Sequence, residues 1–201
     1  MKKTFEKTLP DGYAPIYDLD AKNKKTIWVI NIASLLLFAA VAVPLFMWLR
    51  ILTNKSLIDI WSDIEIKQYI ALIFIYVAYI FGHELVHGAA YYILTRQHLT
   101  FGTAPFVAYC GVPQIYVYRM PSLIAILAPF IVFDIAFVFG IVFAVSVVWK
   151  VVWVLALAVH VGGCIGDLWG ACLLLLRFRD PLLLVRDTGP KQVFFVKKST
   201  R

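Results

Sequence analysis

His83-Glu84-Leu85-Val86-His87 sets two imidazoles four residues apart with a carboxylate beside the first. On a helix, residues i and i+4 share a face, so both rings project the same way about one turn apart, the bite a tetrahedral zinc takes from two nitrogens. Glu84 is then placed to take a proton from metal-bound water, the role of the base in a peptidase. The run that holds the three residues, 69–94, is otherwise apolar. An ionisable side chain at the centre of a bilayer costs at least about 2.5 to 3.5 kcal/mol, so three together argue for a use. The motif predicts a Zn2+ centre with His83 and His87 as ligands and Glu84 as the catalytic base.

A catalytic zinc takes three protein ligands and keeps one position open. No glutamate follows Glu84 in the chain, which excludes the arrangement that uses a downstream Glu, and no further histidine completes an extended H-E-x-x-H-x-x-G-x-x-H. His98, Asp134, His160 and Asp167 remain, with Asp180 and Asp187 set aside as belonging to the C-terminal tail. At 1.5 Å of helix per residue, His83, Asp167 and Asp134 lie about 16, 14 and 18 Å from one end of their runs, and His160 about 24 Å. Gly162, Gly166 and Gly170 recur every four residues beside Asp167, a ridge that permits close approach of another backbone. Depth and packing favour Asp167 as the third ligand, with Asp134 and His160 as the alternative ligand or substrate-orienting groups.

The surroundings of these residues are set by composition: of 201 residues 62% are hydrophobic and 15% charged, and the mean hydropathy is +0.82. That balance belongs to a membrane protein. A bilayer needs about 20 apolar residues per crossing, and runs at 27–49, 69–94, 122–149 and 151–176 meet it. The expected fold is therefore an all-α membrane protein of four transmembrane helices. Segment 97–120, rich in Phe101, Gly102, Phe106, Tyr109, Gly111 and Tyr116, reads as a short extended hairpin or re-entrant segment between helices two and three. The expected organisation is a cytoplasmic tail (1–26), a four-helix metalloprotease domain (27–176) and a basic cytoplasmic tail (177–201). The first run is too long for a cleaved signal core and reads as a retained helix. Fifteen of the 19 Lys and Arg fall in the tails and at Arg96 and Arg119, against Arg50, Lys55, Lys67 and Lys150 on the other side. The positive-inside rule then predicts a multi-pass protein of the cell membrane with both termini cytoplasmic. The net charge of +7 flanks apolar spans, so the lipid bilayer rather than nucleic acid is the expected partner. Cys110, Cys164 and Cys172 lack the spacing of a zinc ribbon.

The pattern resembles the site-2-protease-like membrane zincins, in particular the small four-span bacterial family of putative zincin peptidases. The resemblance rests on the His-Glu-Leu-Val-His itself, Tyr109-Cys110-Gly111, Leu127-Ala128-Pro129 and Gly166-Asp167. It implies hydrolysis of membrane protein or peptide substrates, zinc on His83, His87 and Asp167, Glu84 as the base, and an extended segment that pairs with an unwound substrate strand. Two other readings are a four-helix membrane haem protein for electron transfer, which would enlist His160, and a catalytically inactive scaffold. An absorption spectrum of the purified protein separates the first from a zinc enzyme: no Soret band is expected, and a stoichiometric one would establish haem.

Overall fold

A computed structural model describes residues 3–20, 23–104 and 107–198. Phe106, read above as part of the extended segment, lies outside the described residues, as do positions 1, 2, 21, 22 and 199–201 of the two tails. The described elements are β1 (Phe5–Glu6), β2 (Tyr13–Asp20), α1 (Lys24–Thr53), α2 (Leu57–Ser62), α3 (Ile66–Thr95), β3 (Thr100–Ala104), β4 (Val107–Gly111), β5 (Tyr116–Tyr118), α4 (Arg119–Phe143), α5 (Val147–Gly163), α6 (Ile165–Cys172), a π-helix (Leu173–Arg177), β6 (Leu184–Asp187) and β7 (Lys191–Lys197).

The expectation of an all-α protein is overturned, because the segments read as polar tails form strands. β1, β5, β6, β7 and β2 make a five-stranded antiparallel sheet in that order, and β3 and β4 pair as a separate hairpin. β2 runs along β7 from Tyr13 opposite Lys197 to Asp20 opposite Lys191, so the two segments read as tails pair with each other. Both strands carry the aromatic and β-branched residues that suit a half-buried sheet, such as Tyr17, Val193, Phe194 and Phe195. The β6–β7 turn passes through Gly189 at φ +90°, a conformation open to glycine at no steric cost.

The expected four membrane helices are corrected as well. Three helices, α1, α3 and α4, are each long and apolar enough to cross a bilayer. The fourth run is not one helix: it is broken and bent at Cys164 and qualifies only if α5 and the helical stretch Ile165–Arg177 are counted together. The glycines that suggested one continuous ridge serve different neighbours. A Cβ on Gly162 would press on the Ser34 carbonyl of α1, one on Gly170 would meet the Gln192 side chain, and one on Gly166 would meet nothing. Beyond Cys172 the helix widens to i→i+5 bonding, with Phe178 N–H donating to Leu173 O at 2.7 Å. The loosened Leu174 carbonyl accepts from Arg119 Nε at 2.8 Å. Helix starts are set locally: the Ser56 hydroxyl and Asp59 carboxylate form a capping box for α2, and Ser146 caps α5.

The chain divides into two compact units. One comprises the described parts of Met1–Val29, Gly82–Pro129 and Gly166–Arg201. Its cores gather Leu19, Leu123, Ile126, Leu174, Val185 and Phe194 in one cluster and Tyr91, Val112, Ile115, Val117 and Ala125 in another. The second unit, Ile30–Phe81 and Phe130–Ile165, buries Leu49, Ile60, Phe137, Val154 and Leu157.

His160 lies in the second unit, fully buried and surrounded by Tyr79, Phe130, Phe133 and Phe137. Its Nε2–H donates to Phe130 O at 3.2 Å, and Nδ1 lies 3.0 Å from the Tyr79 hydroxyl, which donates to it in the neutral ring. Replacing the ring by Ala leaves a cavity and removes a hydrogen bond from Tyr79. His160→Ala is therefore expected to destabilise the protein by about 2–4 kcal/mol, read as a lower thermal midpoint in detergent; an unchanged midpoint would refute this packing role.

Candidate active site

His83, Glu84 and His87 all project from α3, and Asp167 lies in the first turn of α6, where the helix dipole favours a carboxylate. His83 Nε2 is 3.1 Å from Asp167 Oδ2, and His87 Nε2 is 3.3 Å from Asp167 Oδ1. One donor atom from each of the three residues fits within a span of 4.8 Å. Ligands at about 2.0–2.1 Å from a tetrahedral zinc stand roughly 3.3–3.4 Å apart. The two separations approach that edge length, so the donor set fits such an ion in both chemistry and size. Both imidazoles are buried, at 8% exposure each, and Glu84 beside them is half-buried.

The neighbours of the motif orient it. His87 Nδ1 is 2.8 Å from the backbone carbonyl of Ala125 in α4. A carbonyl can only accept, so Nδ1 carries a proton and Nε2 is the nitrogen that faces Asp167 and would be open to a metal, the usual outer support of a metal-binding histidine. The β3–β4 hairpin comes down on α3 at Gly88, where an added Cβ would meet Phe101 at 2.9 Å, Leu99 at 3.1 Å and Cys110 Sγ at 3.3 Å. With a larger residue there the hairpin could not come so near the histidines. The backbone N–H of Cys110 faces the Glu84 carboxylate. Burial, with the Glu84 and Asp187 carboxylates nearby, pushes the Cys110 thiol up to about 12 and keeps it neutral. Tyr109 packs its ring where side chains on Gly102 and Gly189 would stand, and Gly111 abuts the backbone of Thr188 and Gly189. Tyr109-Cys110-Gly111 thus joins the hairpin to the β6–β7 turn on one side and to Glu84 on the other.

Residues 72–181 match the family described as Putative zincin peptidase. The chain belongs to that family. The match takes in His83, Glu84, His87 and Asp167. No curated protein and no solved structure matches the chain.

In this zincin-family chain the other residues singled out from sequence go elsewhere. Asp134 sits beside His160, with Oδ1 at 3.4 Å from Nε2, within the second unit. His98 and Asp180 are exposed. Asp187, set aside as part of the tail and lying past the matched residues, is buried at 4% exposure. It accepts from the Tyr91 hydroxyl at 2.7 Å and the Gly189 amide at 2.8 Å, with Gln192 Nε2 at 3.4 Å. Burial pushes its carboxyl up to about 6, opposed by the bonds from Gly189 and Tyr91. Its own carbonyl accepts from Val112 N–H at 2.9 Å. Tyr91 is one turn beyond His87, so Asp187 ties the C-terminal hairpin to the motif helix. The spacing of Tyr91, four after His87, was the available signal, but its partner lies 96 residues away. Tyr91→Phe removes one bond from a buried carboxyl and is expected to lower stability by about 1–3 kcal/mol, less than Asp187→Ala. Thermal unfolding of both variants in detergent checks the order, and equal midpoints for Tyr91→Phe and wild type would remove the tie.

Proposed function

We propose that the chain is a zinc-dependent peptidase of the cell membrane that hydrolyses peptide bonds of membrane proteins or peptides. The observation that supports this most directly is the convergence of His83 Nε2, His87 Nε2 and the Asp167 carboxylate, at 3.1 and 3.3 Å, beside Glu84. These three residues would hold the metal. Bound there, zinc supplies Lewis acidity, lowering the pKa of water toward neutrality and polarising a scissile carbonyl. Glu84 accepts the proton of the attacking water on a carboxylate oxygen and delivers it to the leaving amine nitrogen, so one group acts as base and then as acid. Asp167 anchors both imidazoles from a second helix, and the Ala125 carbonyl fixes the His87 ring.

A substrate in extended form suits the β3–β4 hairpin, whose Cys110 backbone faces Glu84; main-chain pairing along a strand edge would hold the peptide near the base. The apolar character of α1, α3 and α4 supports a membrane setting. The excess of Lys and Arg in the tails supports cytoplasmic termini. Both ring nitrogens of His160 have partners in Tyr79 and Phe130, which speaks against its service as a haem ligand.

Two variants of the full chain in detergent test the reading, with zinc content measured by atomic absorption and cleavage followed on unfolded β-casein. Glu84→Gln should keep its zinc and lose about 10²–10⁴-fold in rate. His87→Ala should lose both zinc and cleavage. Native-rate cleavage by Glu84→Gln would show that the base is another residue.

A further inference from the structure

The carbonyl that holds His87 lies inside α4, a continuous helix from Arg119 to Phe143, where backbone oxygens are ordinarily committed to the amide four residues on. For Ala125 that amide would belong to residue 129. Residue 129 is proline, which has no N–H. The oxygen left without its helical donor is therefore the same oxygen that lies 2.8 Å from His87 Nδ1. Ala125 itself is fully buried, so water is a poor substitute, and a buried carbonyl without a partner is unfavourable.

We propose that Pro129 is a positioning residue for the metal site, acting through the backbone of Ala125. By withholding an amide, it reserves the Ala125 carbonyl for His87 Nδ1–H, which fixes the rotation of the ring and leaves Nε2 to face Asp167. The inference rests on the reading of His87 as a zinc ligand. It goes beyond that reading by assigning a role to a residue with no ionisable or coordinating group. It also runs against the usual sense of a helix proline: restoring the amide should strengthen α4 and weaken the site.

The test uses the full chain in detergent and zinc alone as probe. Pro129→Ala returns an N–H that competes for the Ala125 carbonyl. It is expected to keep or raise the thermal midpoint while weakening zinc binding about 10- to 100-fold, the usual loss on removing such an outer partner. In the metal-free protein, ¹H–¹⁵N NMR of the histidine rings should show the His87 Nδ1–H as a downfield, slowly exchanging, hydrogen-bonded proton in wild type, and as a weaker, faster-exchanging one in Pro129→Ala. A second variant separates the missing amide from the ring of proline. Lactic acid, incorporated at position 129 by nonsense suppression, has the alanine side chain and no N–H, and should restore wild-type zinc affinity. Pro44→Ala in α1 is the control and should leave zinc affinity unchanged.

Wild-type zinc affinity and an unaltered His87 Nδ1–H resonance in Pro129→Ala would overturn the proposal. So would a lactate variant as weak as Pro129→Ala, because the role would then belong to the ring. A wild-type protein that takes up no zinc would end the metal reading instead, and the comparison of the Nδ1–H resonances would still decide whether Pro129 governs the Ala125 carbonyl.

Discussion

A polar atom on an apolar helix must find its partner within the protein, and the architecture around α3 follows from that demand. His83, His87 and Tyr91 lie four residues apart on one face of a helix whose remaining surface is largely Ile, Leu, Val, Phe and Tyr. Each has a partner from a different segment: Asp167 of α6 for His83, the Ala125 carbonyl of α4 for His87, and Asp187 of β6 for Tyr91. These partners come from 38 to 96 residues away, so the motif face cannot be completed by the helix that carries it. The unit around the motif is in this sense assembled from distant stretches to satisfy a few atoms that the apolar helix itself could not.

That demand also gives the sheet a purpose. A segment with no more than a solubilising role has no reason to bury a carboxylate, yet Asp187 is sealed under Tyr91, Gly189 and Gln192. Its backbone carbonyl grips Val112 just past the end of β4, while its side chain grips α3. The turn that follows is shaped by Gly189, and Tyr109 of β4 lies against it. The hairpin beside Glu84 and the helix that bears Glu84 are thus both held by one turn near the C-terminus. β2 closes that side of the sheet by pairing along β7.

Local chemistry in this chain was legible and long-range pairing was not. Periodicity and composition revealed the apolar helices and the two imidazoles of α3, because helix spacing is a property of neighbouring residues. The sheet escaped because its strands are short, polar at their ends and paired across the whole chain, as in Tyr13 with Lys197; nothing within a window of ten residues announces such a partner. The break at Cys164 escaped for a related reason. Apolar content measures whether a run could cross a bilayer, and it is blind to a bend in the middle of the run. Asp187 was dismissed on its position in the chain, although position in the chain says little about burial once the end folds back.

Asp134 and Asp167 show what separates two residues that the sequence treats alike. Both are aspartates within apolar runs of the sequence, at similar distances from one end of the run, and depth alone admits either. Their surroundings differ in what the neighbouring imidazoles have left to give. Asp134 faces His160, whose Nε2 already meets the Phe130 carbonyl and whose Nδ1 already meets Tyr79, within a ring of aromatic side chains. Asp167 faces two imidazoles at once, each through Nε2, and in His87 the other nitrogen is turned away onto a backbone oxygen. A metal needs lone pairs that nothing else claims, and proline at position 129 bears on that supply because it decides which backbone oxygen remains open to a histidine. The identity of a ligand therefore depends less on its own type and depth than on which hydrogen bonds its neighbours have already made.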